Sequence, residues 1–114
     1  MMTQPEVETV TTSPPETTTD VQYVVISDEE LEKPYRVIVE NDDKTPMDFV
    51  VMVLRLFFGL TIERATSVML EAHYEGHAYV ASFPFAEARD RIYAAHTAAR
   101  QVGYPLTFYL EPDD

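Results

Sequence analysis

Between Tyr35 and Phe58 the spacing of apolar residues changes once, and sharply. The run Tyr35-Arg36-Val37-Ile38-Val39 reads as a strand. Further on, Val50, Val53, Leu54, Phe57 and Phe58 fall at i, i+3, i+4, i+7 and i+8, the stripe of an amphipathic helix. The stretch between them, Glu40-Asn41-Asp42-Asp43-Lys44-Thr45-Pro46-Met47-Asp48, must turn the chain from strand into helix. The spacing predicts a strand over Tyr35 to Glu40 and a helix from about Pro46 to Phe58. Thr45 is the expected N-cap, Pro46 the first helical residue and Asp48 the capping-box carboxylate. Capping does not account for Asn41-Asp42-Asp43. Acceptor-rich groups held beside apolar side chains suit a cationic, partly apolar ligand, and the N-terminus of a peptide is one. The plainer reading of Asp42-Asp43 is an Asx-type turn.

The rest of the chain supplies the layers around this corner. Gly59 ends the first helix, and Thr61 caps a second from about Ile62 to Tyr74, with Ala65, Val68, Met69 and Ala72 on its apolar face. Gly76 sits where a C-terminal cap glycine belongs. Ala78 to Phe83 reads as a second strand, with Tyr79 and Phe83 out of phase with Val80 and Ser82. Pro84 opens a third helix, whose face is Ala88, Ile92, Ala95, Ala99 and Val102, and Gly103 closes it. Pro105 to Leu110 is the last strand. The order β-α-α-β-α-β predicts an α+β fold: a small two-layer domain, with three helices packed on a three-stranded antiparallel sheet. There are no internal repeats.

The 114 residues divide into a core domain over residues 35–114 and an extension over residues 1–34. The extension is rich in Thr and Pro and carries eight acids against the single Lys33, so it holds −7 of the net −12. Too little apolar surface is available there to offset ordering entropy, and the extension is expected to be disordered. One apolar stretch interrupts it, Val21-Gln22-Tyr23-Val24-Val25-Ile26. This either docks as a short strand on another protein's edge or is only a sticky patch, and isolated strands of that length are marginal. Asp28 to Glu32 is expected to form a weak helical turn. The acidic balance would repel a phosphate backbone and an anionic membrane surface, so neither is an expected partner. With no cysteine there is no disulfide framework and no thiol nucleophile. No signal peptide, transit peptide or membrane span is recognisable, and the expected compartment is the cytoplasm.

The candidate binding residues converge through helix spacing. Met69 and His73 are i and i+4 on the second helix, with Ala72 beside them. Met47 and Val50 share a face of the first. Side-by-side packing of the two helices would leave a small apolar hollow rimmed by Asn41 to Asp43 and His73. The Asn41 carbonyl, an Asp carboxylate and a neutral His nitrogen can all accept from an α-ammonium. If His73 does so, binding should weaken as pH falls through the range where histidines ordinarily protonate, about 6.5. Each residue also has a plainer role: Met47 and Met69 as core filler, His73 as a partner of its helix dipole. An enzyme is the rival class. His73 and His77 are i and i+4 with Glu71 and Glu75 nearby, but the order is H-x-E-x-H, not the H-E-x-x-H of zinc proteases, and Gly76 breaks the shared face. Asp42 and Asp43 are adjacent, a poor acid/base pair. Neither a metal nor a cofactor is expected.

Taken together, N-D-D-K-T-P-M-D-F-V at Asn41 to Val50, E-R-A-T-S-V-M-L at Glu63 to Leu70, A-H-Y-E-G at Ala72 to Gly76 and G-Y-P-L at Gly103 to Leu106 resemble the ClpS adaptor family. The resemblance covers roughly Tyr35 to Leu110. It implies a non-enzymatic adaptor that presents N-degron substrates to the N-terminal domain of a ClpA- or ClpC-type AAA+ unfoldase. It further implies that Asn41, Asp42 and His73 hold the substrate's α-amino group. Asp43 and Thr45 would support the first peptide group and the pocket wall. Met47, Val50, Met69, Ala72 and Leu106 would form the pocket for a first residue of Leu, Phe, Tyr or Trp. Two positions depart from the family pattern: Ala72 stands where Val is common, implying a roomier pocket, and Lys44 replaces a residue that is often aromatic. The acidic extension resembles the family's N-terminal segment, implicated in handing over substrate. A monomer is expected. The alternative is a general protein-interaction domain of similar fold that ignores the free amino group; the ribosomal stalk protein's C-terminal domain is similar by fold analogy only.

Overall fold

The computed structural model describes Glu29 and residues 32–113. The expected disorder of the extension and the Val21–Ile26 stretch lie outside those residues. Of the expected turn before Pro34, Glu29 and Glu32 are described as helical, and the Lys33 amide donates to the Glu29 carbonyl at 3.2 Å.

Six elements follow: β1 (Pro34–Glu40), α1 (Met47–Phe58), α2 (Ile62–Glu75), β2 (His77–Pro84), α3 (Phe85–Gln101) and β3 (Thr107–Pro112). They form the predicted α+β layers, one antiparallel three-stranded sheet in the order β2-β1-β3 with three helices. The β-branched run Val37-Ile38-Val39 explains why β1 takes the centre, where both edges are paired. Its inward residues Val37 and Val39 meet Val53, Leu54, Phe58, Ala65, Val68, Ala88, Ala95 and Phe108 in one core. Leu54, Val53 and Val68 are completely buried, and each such side chain contributes about 1.5–3 kcal/mol. Small residues on α3, Ala88, Ala95 and Ala99, let that helix lie close to the sheet. The aromatic ring of Phe58 links α1 to both edge strands, 4.8 Å from Phe108 and 6.4 Å from Phe83.

Several local expectations are corrected. Thr45 does not cap α1. The N-cap is Pro46 in extended geometry, with no side-chain cap bond. The Thr45 hydroxyl is turned instead to Asp42, and the Asp48 carboxylate accepts only from the neighbouring Phe49 amide. Thr61 does cap α2, accepting from the Arg64 amide at 3.1 Å. Gly59 and Gly76 both end their helices in the left-handed region, at φ 72° and 95°. Val102 is not on the buried face of α3; it is 56% exposed, past the helix end. The last strand starts at Thr107, so Pro105 and Leu106 precede it. In β2 the phase is broken by a bulge: Val37 pairs with Ala81 but Ile38 with Tyr79, leaving Val80 as the extra residue. Tyr79 therefore stacks under the Arg36 guanidinium beside Ile38, while Phe83, of the same parity, packs on the core.

Candidate functional site

The corner after β1 is fastened from two sides. The Asn41 amide donates to the Gly76 carbonyl at 2.9 Å, tying the end of β1 to the C-cap of α2. This bond brings Asn41 and His73, a residue of the last turn of α2, to one rim. The Asp42 carboxylate then shapes the turn. Its Oδ1 accepts from the Lys44 and Thr45 amides at 2.8 and 2.7 Å, and its Oδ2 from the Thr45 hydroxyl at 2.8 Å. The Asx-turn reading of this aspartate holds. A carboxylate offers about four lone-pair sites, so one acceptor direction is left. Burial acts to raise the Asp42 carboxyl, but the Thr45 and Lys44 amides, the Thr45 hydroxyl and the positive charge of Arg100 outweigh it and hold the group below the ordinary carboxylate value. Asp42 is thus an anion at neutral pH.

Behind this rim lies a cavity of about 330 Å³. Asn41, Asp42, Asp43, Thr45, Met47, Val50, Met69, Ala72, His73 and Leu106, every residue that the sequence offered for amino-group and side-chain binding, line it. Val50 and Met69 are 9% exposed, Ala72 3% and Leu106 1%, so these four form an apolar floor. Met47, 44% exposed, stands at the mouth. The polar groups collect at the rim: Asn41, Asp43 and His73 are exposed, and Asp42 and Thr45 half-buried. Among the described residues, neither the Asn41 side-chain amide nor the His73 imidazole has a hydrogen-bond partner; His73 meets only the Tyr74 ring, edge-on at 5.1 Å. Such a site can accept hydrogen bonds from a cation at its rim while taking an apolar group into its floor. It also includes Val39, Glu40 and Pro46, which sequence reasoning missed. Glu40 was readable as the first acid of the polar stretch. His77, the second histidine of H-x-E-x-H, lies past Gly76 in β2, and among the described residues no three His, Asp or Glu side chains are grouped to hold a metal ion.

The sequence model described as ATP-dependent Clp protease adaptor protein ClpS matches residues 30–109. The chain belongs to the ClpS family. Among relatives named ATP-dependent Clp protease adapter protein ClpS, that of Shewanella loihica is 44% identical over 77 residues, covering 68% of this chain and 76% of its own. The ClpS of Leptothrix cholodnii is 39% identical over 97 residues, covering 81% and 84%. Among solved structures, Agrobacterium tumefaciens ClpS2 bound to L-phenylalaninamide superimposes with a TM-score of 0.68 at 34% identity, covering 71% of this chain and 98% of that one. This ClpS-family chain is therefore similar, over its folded part, to Clp protease adaptors and to one that holds an amino-acid amide. Among its described residues no helix is long and apolar enough to cross a membrane.

Proposed function

We propose that this adaptor binds the free N-terminal residue of a protein substrate, where that residue is Leu, Phe, Tyr or Trp, and delivers the substrate to a ClpA- or ClpC-type AAA+ unfoldase for degradation. One observation carries the reading: acceptors from β1 and α2 meet on the rim of a cavity whose floor is apolar. Asn41, Asp42 and His73 accept from the α-ammonium. Asp43 and Thr45 flank the first peptide group. Val50, Met69, Ala72 and Leu106 receive the side chain, and Met47 covers it. The ligand of ClpS2 supports this division, because phenylalaninamide combines a free amino group, an aromatic side chain and a carbonyl amide in place of the next peptide bond.

The magnitudes fit an adaptor that must release its cargo. Charge-assisted hydrogen bonds contribute about 1.5–3 kcal/mol each. A buried Leu or Phe adds about 1.5–3 kcal/mol. With three such bonds and at least ~4 kcal/mol lost on association, roughly 2–8 kcal/mol remain. The upper part of that range is a Kd on the order of 1–100 μM. The protein acts as a binding module, without catalysis, as a cytoplasmic monomer. Its acidic extension serves delivery and is not part of the binding site.

The test is degradation of a reporter that begins with Phe by a ClpA- or ClpC-type unfoldase and its protease. Adding the full chain should accelerate turnover of this reporter and leave one beginning with Gly unchanged. A chain lacking residues 1–33 should still bind a Phe peptide but fail to accelerate turnover. Equal acceleration of both reporters would contradict the proposed specificity, and loss of peptide binding on truncation would contradict the division of labour.

A further inference from the structure

Leu106 shares with Val39 the deepest burial of the cavity's walls, yet it lies just outside the sheet. Its backbone is therefore without the ladder that holds β3, and a buried carbonyl needs a partner. Arg100, in the last turn of α3, provides it. Its Nη1 donates to the Leu106 carbonyl at 2.7 Å and to the Tyr104 carbonyl at 2.9 Å. One guanidinium nitrogen thus brackets Pro105 from both sides. His96, one turn earlier on α3, accepts from the Phe108 amide through Nε2 at 2.9 Å. The segment from Tyr104 to Phe108 is pinned to α3 by these two side chains. The Tyr104 ring meets Phe49 of α1 edge-on at 4.9 Å, so the segment also bears on the helix that carries Met47 and Val50. Arg100 itself does not line the cavity.

We propose that Arg100 is a positioning residue for the pocket: it fixes the backbone that presents Leu106 to the incoming side chain. The inference rests on the binding role proposed above and deepens it. Two variants test this role. Arg100→Lys keeps the charge but loses the planar two-hydrogen donor that spans the two carbonyls. Arg100→Gln loses both.

The experiment is fluorescence anisotropy of the full chain and both variants with peptides beginning in Phe and in Ala, each free and N-acetylated, alongside thermal melts. For the natural chain, the free Phe peptide should bind and the other three should bind much more weakly. Arg100→Lys should reduce the Phe-over-Ala preference roughly 3- to 10-fold and retain the preference for a free amino group. Arg100→Gln should reduce the Phe-over-Ala preference at least as much, again with the preference for a free amino group retained. A merely structural arginine would lower the melting temperature and the active fraction while leaving the Phe-over-Ala ratio unchanged, and that outcome overturns the proposal. Should the variants not fold, the side-chain Nε–H resonance of Arg100 in the natural chain decides. It should shift saturably with free Phe peptide while those of Arg55 and Arg64 stay still; an unmoved Arg100 overturns the proposal. If the natural chain binds none of the four peptides, the binding role itself fails, which is distinct from binding that ignores Arg100.

Discussion

At the residue scale, Asp42 has two duties that can be told apart. Its carboxylate organises the corner through three hydrogen bonds, and in the proposed binding role its remaining acceptor direction takes the ligand's amino group. Asp42→Asn keeps a carbonyl for the two amides but removes the charge. We predict little loss of stability in urea unfolding, with affinity for a free amino terminus falling roughly 10–100-fold, the loss of a charge-assisted bond of about 1.5–3 kcal/mol. Equal losses in both measurements would make the aspartate purely architectural. Thr45→Ala removes the hydroxyl bond to Oδ2 and should cost about 1 kcal/mol in the same unfolding experiment. At the floor, Ala72→Val adds two carbons in a wall that is 3% exposed. It should weaken a Trp peptide several-fold more than a Leu peptide in competition binding, since overpacking costs about 1–3 kcal/mol. That these residues would line one cavity was legible in part, because helix spacing brings Met69, Ala72 and His73 together and the Asn-Asp-Asp stretch has no capping explanation. Arg100 was not legible: it acts through backbone carbonyls of a segment whose course only the fold reveals.

At the element scale, long periodic stripes translated directly. The Val50–Phe58 stripe became α1, and the glycines and Thr61 bounded the helices as their backbone preferences require. Two readings failed for physical reasons. Thr45 looked like an N-cap, but a nearby aspartate with stronger acceptor oxygens takes its hydroxyl. Strict alternation in β2 placed Tyr79 and Phe83 together, but a bulge at Val80 separates them, and a bulge is invisible until the partner strand is known. The α1–sheet contact yields a stability prediction. Phe58 is 3% exposed and touches rings from both edge strands. Phe58→Ala should therefore destabilise the domain by about 3–5 kcal/mol in denaturant unfolding. A cost below ~1 kcal/mol would mean that α1 repacks without it.

At the scale of the whole molecule, pH acts on fold and site separately. Burial, with the nearby charge of Arg100, holds His96 below the ordinary histidine value of 6.5, and its Nε2 accepts from the Phe108 amide, which requires the neutral ring. Between the folded and ordinary values the unfolded chain binds more protons, so stability rises with pH. His96 therefore contributes stability that is fully present above about 6.5 and is lost as pH falls through its lowered folded value. Denaturant unfolding between pH 7 and pH 5 should show this decline, and His96→Gln should flatten it; an unchanged slope would clear His96. Asp42 behaves in the same sense at lower pH, its contribution present above 3.8 and lost as pH falls through its lowered value. The central claim is that one cavity reads a free amino group and a bulky side chain together. It is tested most directly by fluorescence anisotropy with one labelled peptide beginning in Phe, the same peptide N-acetylated, and one beginning in Gly. Binding of the free Phe peptide alone, in the micromolar range, is the predicted result; equal binding of all three, or of none, would contradict it.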